Sequence, residues 1–274
     1  MSPRLVRESH LFCLALVILL GGCSWHSGEP IPQSPAGPRI RIHADDILAR
    51  NLAIAQWVEV HRDPVFEATK NFRAIPLATL MRKLGCTNAD SEIHIRCMDG
   101  YLASLSGSEA LDATGFLAFA DESSTNSDQS GFSLLKTKTG LVDPAPLYLF
   151  WLNDPGNRPR PYQIEEIEIW MTGEALGRAK PVGTAAAQRG FELFRKNCAS
   201  CHSVNGAGGR LAVDLNFPMN VTEYWKAPAL KQLISNPASI RANAKMPAFP
   251  QLTERDIQDL ISYLRQMQKQ KLKP

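Results

Sequence analysis

The sequence predicts two domains of different class, an α+β domain over residues 40–174 and an all-α domain over residues 187–274. Three observations lead there. Gly173, Gly177, Pro181 and Gly183 cluster in one stretch, which marks 175–186 as a linker. Before it, short apolar or alternating runs of strand length stand beside a helical stripe; after it, apolar residues recur at helical spacing. Charge changes sign at the same place: residues 39–174 carry 13 Lys/Arg against 19 Asp/Glu, a balance of −6, whereas residues 187–274 carry 13 against 6, a balance of +7. The formal net charge of +3 over 274 residues therefore conceals two opposed halves. It is too small for a protein that binds nucleic acid by bulk electrostatics, and 44% apolar residues exclude a disordered chain.

The chain opens on Arg4 and Arg7, followed by an apolar run from Leu11 to Leu20. That run is half the roughly 20 residues needed to span a bilayer, but it suits the core of a secretory signal. It ends in Leu20-Gly21-Gly22-Cys23, which resembles the bacterial lipobox. The resemblance implies a signal peptide over 1–22, removed together with Cys13, and lipidation of Cys23. Ser24 follows where an Asp would retain the protein at the inner membrane, so the expected location is periplasmic, anchored to the outer membrane. Residues 23–39 hold four prolines among small and polar residues and read as a spacer.

In the first domain, Pro76 opens a helix with Leu77, Leu80, Met81 and Leu84 on one face, ended by Gly85. Glu92–Cys97 reads as a strand, with a turn at Asp99-Gly100. Phe116–Ala120 and Leu147–Leu152 are apolar runs suited to buried strands. Glu166–Trp170 alternates and reads as a half-exposed strand, and the polar stretch 122–131 as a solvent loop. Cys86 follows the helix and Cys97 ends the next strand; in an oxidising compartment they are expected to form a disulfide, with two buried free thiols as the alternative. His43, His61 and His94 lack ligand spacing and read as surface or satisfied core residues.

The second domain carries Cys198-Ala199-Ser200-Cys201-His202. This spacing lets two thiols add to the vinyl groups of haem while the adjacent histidine reaches the iron. No second cysteine pair or histidine pair follows, which argues against zinc. Residues 187–197 have helical spacing, and Thr253 with Asp256 caps a last helix bearing Ile257, Leu260, Ile261 and Leu264 on one face. Gly190 is expected to meet an aromatic of that helix. No histidine follows His202, so the candidate sixth ligands are Met219, Met246 and Met267.

Taken together, residues 187–268 resemble the class I cytochrome c family, whose terminal helices cross in this way. The resemblance implies one covalent haem c on Cys198 and Cys201, with His202 as one axial ligand. Met246, in a Met-Pro loop before the last helix, takes the family's axial position, with Met219 as runner-up. The family's Gly-Pro-x-Leu segment is replaced by Gly209–Leu215, with Val213 at the proline position; its carbonyl retains the ability to accept the imidazole N–H. Tyr224 and Trp225 are placed to line the haem edge or to pack in the core. Lys196, Lys226, Lys231 and Lys245 are placed to steer an acidic redox partner.

The first domain is similar to the molybdopterin-binding fold of the sulfite oxidase superfamily, on Ala74–Leu77, Cys97–Tyr101 and Pro161–Trp170. In that family a cysteine binds molybdenum, and Cys97 occupies its place. The family's Gly-x-Pro-x-Arg segment is altered here to Gly140–Tyr148, and basic residues for a pterin phosphate are sparse. The expectation is a cofactor-free docking or scaffold module. The sequence thus reads as a lipid-anchored periplasmic electron carrier with protein redox partners and no nucleic acid, rather than an enzyme with its own substrate. Two alternatives remain: a molybdenum oxidoreductase fused to its own cytochrome, and a haem-based sensor.

Overall fold

The computed structural model describes residues 38–50, 52–124, 131–137, 140–154 and 158–272. The signal segment, Cys23, nearly all of the spacer and residues 125–130 of the expected solvent loop lie outside them. Among the described residues no helix is long and apolar enough to cross a membrane.

Alternation along the first half is converted into two four-stranded antiparallel sheets. In chain order the elements are β1 (Ile40–His43), α1 (Ala44–Ala49), β2 (Gln56–Asp63), β3 (Ala68–Pro76), α2 (Leu77–Lys83), β4 (Glu92–Cys97) and β5 (Leu102–Ser106). They continue with α3 (Gly107–Ala110), β6 (Gly115–Asp121), β7 (Leu135–Thr137), β8 (Gly140–Val142), β9 (Tyr148–Trp151) and β10 (Ile164–Trp170). One sheet has the order β1-β10-β4-β5, the other β2-β3-β6-β9. This half is β-rich, and its three helices are short.

Register explains the two faces of the first sheet. Ile42 pairs with Ile167, Ile167 with Ile95, and Ile95 with Ala103, so one row across all four strands is apolar and faces the core. The neighbouring row is polar: Arg41, Glu168, His94 and Ser104. The second sheet is buried on both sides around β6 and β9, with Ile75, Leu117, Leu149 and Trp151 towards the first sheet's core and Phe72, Phe116, Tyr148 and Phe150 in a second aromatic core, while much of β2 is exposed. That is why Leu147–Leu152 reads as a continuous apolar run.

The polar row corrects one expectation. β10 is not half exposed: Glu166 and Glu168 retain only 8% and 1% of their accessible surface. Arg41 meets Glu168 at 2.8 Å and Glu166 at 3.4 Å, and Arg96 meets Glu168 at 3.2 Å, so paired cations take the place of water. His94, in the same row, is 2% exposed and its Nδ1 has no hydrogen-bond partner among the described residues, so it is core but not satisfied. Burial pushes its pKa down to about 4; Glu168 opposes that fall and Arg96 assists it.

The expected Cys86–Cys97 disulfide is not formed; both thiols are buried and free. Cys86 hydrogen-bonds Ser91, the residue before β4, whereas Cys97 is the last residue of β4. A strand rises about 3.3 Å per residue, so the two cysteines sit at opposite ends of a span of about 20 Å. A bridge requires Cα atoms roughly 4.4–6.8 Å apart.

The second half contains α4 (Ala185–Asn197), the two-residue strands β11 (Ser203–Val204) and β12 (Ala207–Gly208), then α5 (Val221–Tyr224), α6 (Ala227–Ser235), α7 (Pro237–Ile240) and α8 (Glu254–Gln268). Thr253 and Asp256 form the expected capping box on α8. At the α4–α8 crossing, a Cβ on Gly190 would fall 2.1 Å from the Asp259 carbonyl oxygen and 2.6 Å from Tyr263 Cβ, so glycine is required. Arg189 donates two bonds to Asp259 beside the crossing, at 2.7 and 2.9 Å. The stretch expected as a linker joins this core: Leu176 and Ala179 are buried in it, and the Tyr263 hydroxyl donates to the Ala179 carbonyl at 2.8 Å.

Two measurements follow. Unfolded His takes its proton near pH 6.5 while folded His94 resists until about pH 4, so the unfolded state binds more protons between those values. The stability contributed by neutral His94 is present above pH 6.5 and is lost as pH falls towards 4, by about 3 kcal/mol; urea titrations across that window are expected to show the loss, and His94→Gln to flatten it. Alkylation of the protein unfolded without reductant is expected to label both Cys86 and Cys97, and a mass spectrum with the two peptides bridged would contradict the fold.

Candidate functional site

The haem motif begins where α4 ends. Cys198 caps the helix C-terminus, its N–H donating to the Phe194 carbonyl at 2.8 Å, and the His202 N–H donates to the Cys198 carbonyl at 2.9 Å. The chain thus coils back on itself and presents the His202 ring to a cavity of about 410 Å³. Phe194 of α4, Leu260 and Leu264 of α8, and Leu230, Leu233 and Ile234 of α6 make its apolar wall. Cys198, Val213, Tyr224, Trp225 and Met246 also line it, while Arg241 and Lys245 are exposed residues of its lining.

Of the three methionines, Met246 alone shares the cavity with His202. Met219 is 52% exposed and Met267 is buried in the α8 core. Imidazole and thioether therefore meet in one apolar volume, between helices whose side chains keep water out. A thiol stands in the same wall. This set of donors, in a cavity of ligand size, fits a haem held through thioether bonds.

The thiols themselves argue against other uses of the motif. Burial, with Cys201 close by, pushes the Cys198 thiol up to about 12, and burial with the Asp99 carboxylate raises Cys201. Neither is a ready thiolate for dithiol exchange. Among the described residues no three His, Cys, Asp or Glu side chains converge as a metal site. Cys201 does not line the cavity; it lies on the side of Asp99 and Tyr101 of the β4–β5 turn.

Val213 keeps the role expected of its backbone. His202 Nδ1 donates to the Val213 carbonyl at 2.8 Å, which fixes the ring and leaves Nε2 for the iron. A polar scaffold behind this carbonyl gave no sequence signal. The Asp214 carboxylate accepts from Ser203 Oγ and from the N–H groups of Gly206, Asn216 and Phe217, at 2.7–2.9 Å. Asn205, Asn216 and Asn220 are fully buried and form a ladder. Asn220 Nδ2 donates to Asn216, Asn216 Nδ2 to Asn205 and the Met267 carbonyl, and Asn205 Nδ2 to the Arg178 and Gln270 carbonyls. The ladder ties the loop after the haem motif to the end of α8. Its members lie up to 15 residues apart and follow no helical or strand period, so nothing local marks them.

The other expected residues scatter. Lys231 pairs with Glu254, Lys196 lines a separate groove together with Glu192 and Arg189, and Lys226 is exposed at the start of α6. Cys97 borders a smaller cavity of about 250 Å³ with Asp99, Tyr101, Arg160, Pro161 and Tyr162. Burial and Asp99 push its thiol up to about 12.

Comparison with known proteins bears on this half of the chain. Residues 187–268 match the family model described as Cytochrome c. The chain is also 31% identical over 114 residues to a cytochrome c oxidase subunit 2 from Alkalihalophilus pseudofirmus, covering 38% of this chain and 32% of that protein. It is 35% identical over 86 residues to a cytochrome bc1 complex cytochrome c subunit from Corynebacterium diphtheriae, covering 31% of this chain and 28% of that one. The chain thus spans about a third of the length of these curated relatives.

The asparagine ladder generates a prediction. Asn216→Ala removes two donated bonds and one accepted bond from a dry site, and is expected to cost about 2–3 kcal/mol in urea unfolding followed by circular dichroism.

Proposed function

We propose that this chain, whose residues 187–268 form a cytochrome c domain, is a lipid-anchored periplasmic carrier of single electrons. Haem, when bound, supplies an iron that cycles between Fe(II) and Fe(III). Cys198 and Cys201 would hold the group by thioether bonds, and His202 and Met246 would ligate its iron. The observation that carries this reading is that His202 and Met246 line one apolar cavity while Met219 and Met267 do not.

Each residue has a defined task. Val213 holds the His202 ring in the tautomer that ligates through Nε2. Leu230, Ile234, Leu260 and Leu264 exclude water, which favours a high potential and a small reorganisation on electron transfer. With both axial positions filled, the iron has no place for oxygen or peroxide, which favours a carrier over an enzyme or a sensor. Cys23 provides the anchor, and the α+β domain serves as a docking module without a cofactor of its own.

The partners follow from chemistry and likeness together. The two relatives are named as parts of an oxidase and of a bc1 complex. Membrane-bound respiratory complexes of that kind are the proposed donor and acceptor. Arg241 and Lys245 on the cavity lining favour a partner with an acidic patch.

Met246→Ala is expected to abolish the thioether-to-iron charge-transfer band of the oxidised protein and to lower its reduction potential. Persistence of that band would move the ligand to Met219. Metal analysis of the same sample is expected to give iron near one per chain; molybdenum in equal amount would overturn the cofactor-free reading of the first domain.

A further inference from the structure

The turn joining β4 and β5 reaches out of the α+β domain and touches the haem segment in two places. The Leu102 N–H donates to the Ser200 carbonyl at 2.9 Å, inside the Cys198–Cys201 loop. The Arg210 N–H donates to the Gly100 carbonyl at 2.7 Å. The Tyr101 hydroxyl faces the Ser200 side chain, and Arg96 Nη1 makes a longer bond to the Gly208 carbonyl at 3.4 Å. Gly100 has φ +89°, and a Cβ there would lie 2.7 Å from the Arg210 carbonyl carbon. Backbone meets backbone, and only glycine allows it.

The segment held in this way leads straight to the histidine. Ala212 donates to the Cys201 carbonyl at 2.9 Å, and Val213, three residues after Arg210, accepts the His202 Nδ1 proton. A proline at 213 would have its φ fixed by its ring; valine does not. The aim of its carbonyl therefore depends on what grips the chain on either side. Asp214 grips it downstream by collecting the Gly206, Asn216 and Phe217 N–H groups. Upstream, Gly209 donates to the Ala199 carbonyl at 2.7 Å within its own domain, and the Arg210 bond to Gly100 adds a hold from the other domain.

We infer that the Asp99–Gly100–Tyr101 turn is a positioning element for the proximal histidine: by pinning Arg210 it holds the Val213 carbonyl on His202 Nδ1 and so sets the reduction potential of the iron. The α+β domain thereby tunes the haem as well as carrying it. This rests on the haem reading above. A well-aligned carbonyl makes the imidazole more basic and favours ferric iron, so the pin lowers the potential. Releasing it raises the potential. Opening the haem edge to water acts in the opposite sense, because water stabilises the additional charge of the ferric state.

The test compares Gly100→Ala with Gly85→Ala in the full-length, haem-loaded protein. Gly85 has a similar positive φ of +81° in the same domain, but the atom nearest its Cβ is Ile40 Cδ1, 4.0 Å away. Gly85→Ala thus imposes a comparable backbone strain without touching the haem segment. Amide exchange at Arg210 and an optical redox titration are read on both variants. Gly100→Ala is expected to speed Arg210 exchange about tenfold, the loss of one hydrogen bond, and to raise the potential; Gly85→Ala is expected to change neither. A potential that falls or stays fixed in Gly100→Ala, unchanged Arg210 exchange, or an equal shift in both variants would overturn the inference. Should Gly100→Ala fail to fold, Tyr101→Phe removes only the hydroxyl beside Ser200 and is expected to give a smaller rise, and an unchanged potential there counts against the pin. A wild-type protein without the spectrum of covalent haem refutes the haem reading instead, while Arg210 exchange still reports on the contact itself.

Discussion

The backbones of α4 and α8 touch at Gly190, and that approach sets the dimensions of everything in the C-terminal half. With no Cβ at 190, the Asp259 carbonyl and Tyr263 Cβ come within distances that any side chain would forbid. The crossing brings Phe194 against the Tyr263 ring, with centroids 5.4 Å apart, and turns Leu260 and Leu264 towards the cavity. It also fixes where α4 ends, and hence where Cys198 begins the coil that presents His202. The cavity is the volume left between two helices held at that distance and closed by α5 and α6. A looser crossing would leave His202 and Met246 in place along the chain but no longer lining one space.

The second constraint is the satisfaction of buried polar groups between the two halves. A sheet whose one row reads Arg41, Glu168, His94 and Ser104 does not lie against an apolar surface without cost. Its acids are neutralised by Arg41 and Arg96, and Arg96 then spares a donor for the Gly208 carbonyl beside the haem motif. The contacts made by the β4–β5 turn are main-chain hydrogen bonds, which are directional and short. A joint of this kind specifies one orientation where an apolar joint of equal area would tolerate several. The site is therefore built by both halves, although only one of them carries the motif.

What was legible in the sequence follows the same division. Cys-x-x-Cys-His is readable because covalent chemistry fixes both residue type and spacing. Gly190 and the Thr253–Asp256 cap are readable because helical geometry fixes their neighbours within a turn or two. The Leu147–Leu152 run and the Glu92–Cys97 strand were readable as strands, but their sheets were not, since pairing joins residues that are far apart in the chain. Exposure of β10 was misread because alternation alone does not reveal that Arg41 and Arg96 would cover Glu166 and Glu168. The Cys86–Cys97 bridge was misread because closeness in sequence ignored the length of the strand between them. The Asn205–Asn216–Asn220 ladder and the Gly100 contact were silent, for both depend on tertiary approach with no period to announce it.

Opposed charge supplies the remaining step. The halves carry −6 and +7, and the structure indicates which of those charges are already engaged. Arg189 is held by Asp259, Lys231 by Glu254 and Lys271 by Glu223, so several of the 13 cations are matched within their own half, while the surplus of 7 lies outside such pairs. Arg41 and Arg96 are matched within the acidic half. Pairs this close contribute little field at a distance, because each cation is offset by its own anion within a few ångströms. The field that an approaching partner meets comes instead from cations outside these pairs, and Arg241 and Lys245 stand among them at the cavity lining, close to Met246. The near-zero total is thus compatible with a local excess of positive charge at the lining of the cavity that Met246 shares.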